Sequence, residues 1–235
     1  MATILNIETS TEVCSVVLAK DGEILFEKES AEGLNHSELL TVFIQDLFKE
    51  NNIEMSILDA VSVSKGPGSY TGLRIGVSVA KGLCYALDIP LISVGTLDAM
   101  GFYVSQNFNP ATSSSDKMLF CPMIDARRME VYTALYNSNG ENIQPVSAEI
   151  IEENSFSRFL KDHKIMFFGN GAAKCKSTLS HPNAIFEGPD RTSARFMQIL
   201  SEKKYINSKF ENVAYFEPFY LKNFVATIPK NKILK

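Results

Sequence analysis

The chain has 235 residues, 45% of them hydrophobic and 21% charged, which is enough apolar material for a buried core and excludes a disordered polymer. A net charge of −4 and a pI of about 5.5 argue against autonomous nucleic-acid binding, which needs a basic surface to neutralise phosphates. Cys14, Cys84, Cys121 and Cys175 are scattered without a C-x-x-C pair, and the sequence shows neither a basic leader nor an apolar membrane span, so we expect buried thiols in a cytoplasmic protein.

In chain order, residues 3–9 and 13–19 are apolar and β-branched, and Asp21-Gly22 is a hairpin turn into a third strand over 23–29. The spacing predicts a helix over 36–51, with Leu39, Leu40, Phe43, Ile44, Leu47 and Phe48 at helical intervals. A short buried strand over 60–64 follows, then a glycine-rich turn, a helix over 71–87, a strand over 90–94 and a helix over 96–105. The polar, proline- and serine-bearing stretch 107–117 marks a boundary between an N-terminal subdomain, 1–106, and a C-terminal one, 107–235.

The second half then starts over. A strand over 118–125 ends in Asp125, as the first strand ends in Glu8. A strand over 130–136 leads to a turn at Asn139-Gly140, as the second leads to Asp21-Gly22. A further strand over 165–168 runs into Gly169-Asn170-Gly171, a tight turn or a weak nucleotide contact. Two copies of strand, acid, strand and turn indicate a duplicated α/β unit. Glu8 and Asp125 could face each other across a cleft and hold a metal–nucleotide complex; strand-end acids also serve simply as turn residues.

The segment Gly66-Pro67-Gly68-Ser69-Tyr70-Thr71-Gly72-Leu73-Arg74-Ile75-Gly76 follows a strand and opens a helix, so its free N–H groups suit an anion. It is neither a Walker A loop nor G-x-G-x-x-G. Gly68, Gly72, Gly76, Ala80 and Cys84 recur every fourth residue. Glycine inside a helix costs about 1 kcal/mol relative to alanine, which close approach of another backbone would offset. That backbone belongs either to this chain's own core or to a partner. The preceding helix is apolar over more than one stripe. We therefore assign His36, Leu39, Leu40, Phe43, Leu47, Gly72, Gly76 and Ala80 to a partner interface. Replacing Gly72 or Gly76 with leucine should then abolish complex formation while the fold survives.

Residues 4–11 (ILNIETST), 66–76 (GPGSYTGLRIG), 125–128 (DARR) and 218–221 (PFYL) resemble the TsaB family, the YeaZ-like group of glycoprotease-like proteins. The resemblance implies an α/β, actin-like and sugar-kinase-like (ASKHA) fold with duplicated βββαβα subdomains. It implies a non-catalytic subunit that binds and activates the catalytic paralogue TsaD, with the ATPase TsaE, in threonylcarbamoyl transfer to N6 of the tRNA adenosine next to the anticodon. tRNA would be met only through the complex, and the chain alone could form a homodimer. No intrinsic cofactor is implied; a nucleotide would belong at the partner interface.

Catalytic relatives carry two metal-binding histidines four residues apart, and those positions fall here on Thr96 and Met100, poor ligands for a divalent ion. His36, His163 and His181 are widely spaced, so neither a metal site nor a catalytic residue is expected. Many relatives carry Asp at the position of Glu8, and the first loop lacks a phosphate-facing glycine. Glu8, the segment Gly66–Gly72 with Arg74, and Asp125, Arg127 and Arg128 are carried over as motif positions for nucleotide or interface contacts. The competing reading is an independent nucleotide-dependent enzyme or metallopeptidase of the same superfamily.

Overall fold

The structure, a computed structural model, describes residues 2–32, 35–107 and 118–222. Strands β1 (Thr3–Glu8), β2 (Cys14–Lys20) and β3 (Glu23–Ser30) form an antiparallel meander, with the Asp21-Gly22 turn joining the last two. Helix α1 (His36–Glu50), strand β4 (Ala60–Gly66), helix α2 (Tyr70–Leu87), strand β5 (Leu91–Gly95) and helix α3 (Thr96–Asn107) complete the first half. The sheet order is β3-β2-β1-β4-β5, with β4 parallel to both β1 and β5.

The second half repeats this plan. Strands β6 (Met118–Asp125), β7 (Glu130–Tyr136) and β8 (Asn142–Ile150) form the meander. Helix α4 (Ser157–Leu160), strand β9 (Lys164–Phe168), helix α5 (Ala172–Cys175) and strand β10 (Ala184–Phe186) follow, giving the order β8-β7-β6-β9-β10. Strands β6, β9 and β10 run parallel. Position by position the two sheets have the same topology, the duplicated α/β arrangement expected. Strands β8 and β10 were not foreseen: β8 is a half-exposed edge interrupted by Pro145, and β10 has three partly exposed residues.

Strands β1, β4, β5 and β6 are buried on both faces along nearly all their length, so even their polar side chains, such as Asn6, Ser62 and Ser93, are buried. One face of each sheet meets α3, and a single cluster joins Ile4, Ile92, Leu97, Met100, Phe120, Tyr136 and Met166. On the opposite face of the first sheet, α1 and α2 bury Leu40, Ile44, Leu47, Val77 and Ala80. The corresponding face of the second sheet is covered through Leu160, Ala172 and Cys175.

After β10 the chain returns to the first sheet. A 3₁₀ turn (Ala194–Phe196) leads into α6 (Gln198–Ile206), where Ser201 Oγ lies 2.7 Å from Asn6 Oδ1 and 2.8 Å from Ser62 Oγ. Farther on, the Glu211 N–H donates to Leu91 O at 2.8 Å. Most of the expected boundary stretch, 108–117, and the tail 223–235 lie outside the described residues. No described helix is long and apolar enough to cross a membrane.

Candidate functional site

The carboxyl ends of β1 and β6 flank a cleft of about 710 Å³. Its walls are Ser10–Glu12, Gly68–Thr71, Ile124–Arg127, Tyr132, Asn170 and the segment Phe219–Lys222. Asn170 bridges the two halves: its Oδ1 accepts from the Asp125 N–H at 3.0 Å, and its Nδ2 donates to Glu12 Oε2 at 3.0 Å.

The two strand-end acids do not face each other. Asp125 is exposed at the rim, ion-paired with Lys174 and accepting from the Arg127 N–H at 2.8 Å. Glu8 is 1% exposed and turned beneath the first loop, where it accepts from the Ser10 N–H at 2.5 Å and from Ser64 Oγ at 3.0 Å. The expectation of a facing acid pair is therefore corrected: the Glu8 carboxyl shapes the loop from within. Burial pushes its pKa up, against the hydrogen bonds from Ser10 and Ser64.

A raised carboxyl pKa binds a proton more tightly in the folded chain than in the unfolded one. Stability from Glu8 is thus fully present below the unfolded carboxyl pKa and is lost as pH rises through the folded value. Glu8→Gln, which keeps an acceptor for Ser10 and Ser64, should flatten that fall. The check is the urea midpoint from pH 4 upward; identical pH profiles for the two proteins would exclude Glu8 as the cause.

Arg127 (φ 74°) and Arg128 (φ 50°) occupy consecutive left-handed positions in the β6–β7 turn, and both are exposed. Arg127 lines the cleft. Among the described residues no group of three or more His, Cys, Asp or Glu side chains is arranged to hold a metal ion. Thr96 and Met100 are buried in the core shared by the sheets.

The glycine segment positions the first wall. Ser69 caps α2, its Oγ accepting from the Gly72 N–H at 3.3 Å, while the Ser69 N–H donates to Ser10 O at 2.6 Å. Gly66 and Pro67 are buried. A Cβ at Gly68 would sit 2.2 Å from Ser10 O, one at Gly72 2.1 Å from Thr9 O, and one at Gly76 2.3 Å from Thr9 Oγ1. The backbone that approaches the small-residue stripe is therefore this chain's own first loop.

That geometry corrects the interface assignment. His36, Leu40, Leu47, Gly72, Gly76 and Ala80 are buried within the chain, and His36 Nε2 lies 2.7 Å from Thr11 O. Leu39 and Phe43 remain partly exposed, beside Val42, which is 45% exposed. Ile75, Val79 and Leu83 of α2 are also half-exposed. Helix α1 is apolar over a wide arc because one stripe enters the core and a second, Leu39 and Phe43, packs against its margin and stays part-exposed beside Val42. Arg74 is exposed on α2, its guanidinium 4.4 Å from the centre of the Tyr70 ring.

A family model described as "TsaD: tRNA N6-adenosine threonylcarbamoyltransferase" matches residues 29–230. The chain is 32% identical over 180 residues to the tRNA threonylcarbamoyladenosine biosynthesis protein TsaB of Bacillus subtilis, covering 75% of each. The chain belongs to the TsaB family. A TsaB of Haemophilus influenzae is 28% identical over 233 residues, 94% of each chain. The solved structure of YeaZ from Pseudomonas aeruginosa superposes on this TsaB-family chain with a TM-score of 0.72 at 25% identity, covering 94% of this chain and all of that one. Another Pseudomonas aeruginosa structure, described as an uncharacterized protein with similarity to peptidase YEAZ, gives a TM-score of 0.79 at 24% identity and supports the fold.

Within this TsaB-family chain, sequence reasoning missed Glu12 and Tyr132 as cleft residues, and it missed Lys174 as the partner of Asp125 at the rim. The glycines flanking Asn170 marked it as a possible contact, whereas Glu12 and Lys174 sit in no motif, and only the tertiary fold brings Glu12 to the cleft and Lys174 to Asp125. The 218–221 motif was noticed, but its place along the cleft was not.

Proposed function

We propose that this chain is a non-catalytic subunit that binds and activates a TsaD-type paralogue in threonylcarbamoyl transfer to N6 of the tRNA adenosine next to the anticodon. One observation carries the reading: along α1 and α2, Leu39, Phe43, Ile75, Val79 and Leu83 pack against the core yet stay part-exposed beside the exposed Val42, an apolar stripe at the surface of a fold that matches the transferase family model. A paralogue of the same fold would offer an equivalent helix pair, and two such pairs can pack ridge into groove. The same face would serve a homodimer when the partner is absent.

In this reading TsaE supplies ATPase activity to the assembly, tRNA is met only within it, and a nucleotide belongs at the partner interface. The complex works in the cytoplasm. The buried Thr96 and Met100, at positions where catalytic relatives carry metal-binding histidines, favour a helper over an independent metallopeptidase. The test is tRNA threonylcarbamoylation by purified TsaD and TsaE with and without this chain. We expect modification only when the chain is added and none from the chain alone. Full modification without it would overturn the proposal.

A further inference from the structure

Beyond α6 the chain runs along β5 and then past α2. Lys81 Nζ holds this segment by donating to the carbonyls of Ala214 at 3.0 Å and Phe216 at 3.2 Å. The Phe219 N–H donates to Lys65 O at 2.7 Å, near the carboxyl end of β4. The Tyr220 ring lies 4.7 Å from that of Tyr70, and Arg74 Nε donates to Tyr220 Oη at 3.2 Å. Two residues later Lys222 pairs with Glu130, on β7 of the other sheet. In four residues the chain passes from the first half to the second, lining the cleft from Phe219 to Lys222.

We propose that residues 209–222 are a latch across the cleft, anchored on α2 by Tyr70, Arg74 and Tyr220 and on β7 by the Lys222–Glu130 pair. The two anchors differ in kind. The α2 anchor combines the Tyr70–Tyr220 ring contact with the Arg74–Tyr220 hydrogen bond, and Lys81 supports the segment leading to it. The β7 anchor is a partly exposed ion pair, with side chains 42% and 22% exposed, and such pairs contribute little and weaken in salt. The β7 anchor therefore releases first. The strap then stays on α2 while its end lifts off β7 and uncovers the cleft between the two walls.

Amide hydrogen exchange on the full chain tests this, with urea unfolding as the check on the fold. At low salt, Lys222→Ala should speed exchange several-fold in residues 124–130 and also in 68–71 on the far wall, while 211–217 keeps its wild-type rate. Lys222→Arg should restore both walls. In the wild type, about 1 M NaCl, where the screening length falls to about 3 Å, should reproduce the effect of Lys222→Ala. Tyr220→Ala should add fast exchange over 217–222. Should it fail to fold, the lysine variants still decide. Exchange changes confined to residues next to 222, with wild-type rates on both walls, would overturn the latch.

Discussion

Gly72→Leu is expected to destabilise this chain's own fold rather than detach a partner from it. The new Cβ would stand 2.1 Å from Thr9 O and 3.1 Å from His36 Cδ2, and neither can retreat. Thr9 Oγ1 donates to Gly72 O at 2.8 Å, and His36 Nε2 is fixed against Thr11 O at 2.7 Å, so loop and helix are held from both sides. Forcing a branched side chain into such a contact costs about 3 kcal/mol, at the upper end for overpacking, against a total stability of about 5–15 kcal/mol. Urea unfolding followed by circular dichroism measures it. Gly82→Ala is the contrasting substitution on the same helix: no atom lies within 4 Å of its Cβ position, so it should stabilise by up to about 1 kcal/mol. A Gly72→Leu protein with the wild-type midpoint would show that the first loop yields, and the stripe would again be available to a partner.

This outcome marks where the sequence stopped being legible. The four-residue spacing of Gly68, Gly72 and Gly76 shows that some backbone comes close, and nothing local tells whose. The answer is the loop after β1, a contact between positions far apart in the chain that only the folded sheet brings together. Apolar runs and turn residues, by contrast, are local signals. They located most strands and helices α1 to α3 closely, though not α4 to α6, and exposed the duplication, because β1 and β6 sit at the centre of two sheets of equal order.

Edge elements were less readable. Strand β8 alternates poorly because neither face is fully buried. The acids show the same limit in the site itself. Glu8 and Asp125 hold equivalent places at the ends of β1 and β6, yet one turns under its loop and the other meets Lys174 at the rim. Position in a motif fixed the Cα; the burial around it decided the chemistry.

Val42→Glu is expected to have the opposite character to Gly72→Leu, sparing the fold and removing the proposed assembly. Val42 lies on the outer stripe of α1 and is 45% exposed, and glutamate is a better helix former than valine, so stability should stay within about 0.5 kcal/mol of wild type. In a docked complex the carboxylate would be enclosed among Leu39, Phe43 and the partner's apolar face with no cation supplied. An unpaired buried charge costs about 3 kcal/mol or more, which is about a hundredfold in the dissociation constant. Val42→Leu keeps the apolar area and should bind as wild type does. Sedimentation of the chain with TsaD reads the affinity, and tRNA threonylcarbamoylation in the same mixture reads the consequence. Both should fall together for Val42→Glu, and any homodimer of the isolated chain should dissociate with them. Wild-type affinity for TsaD in a folded Val42→Glu protein would move the docking surface off this stripe, and modification lost without loss of binding would mean that α1 transmits activation and does not merely hold the partner.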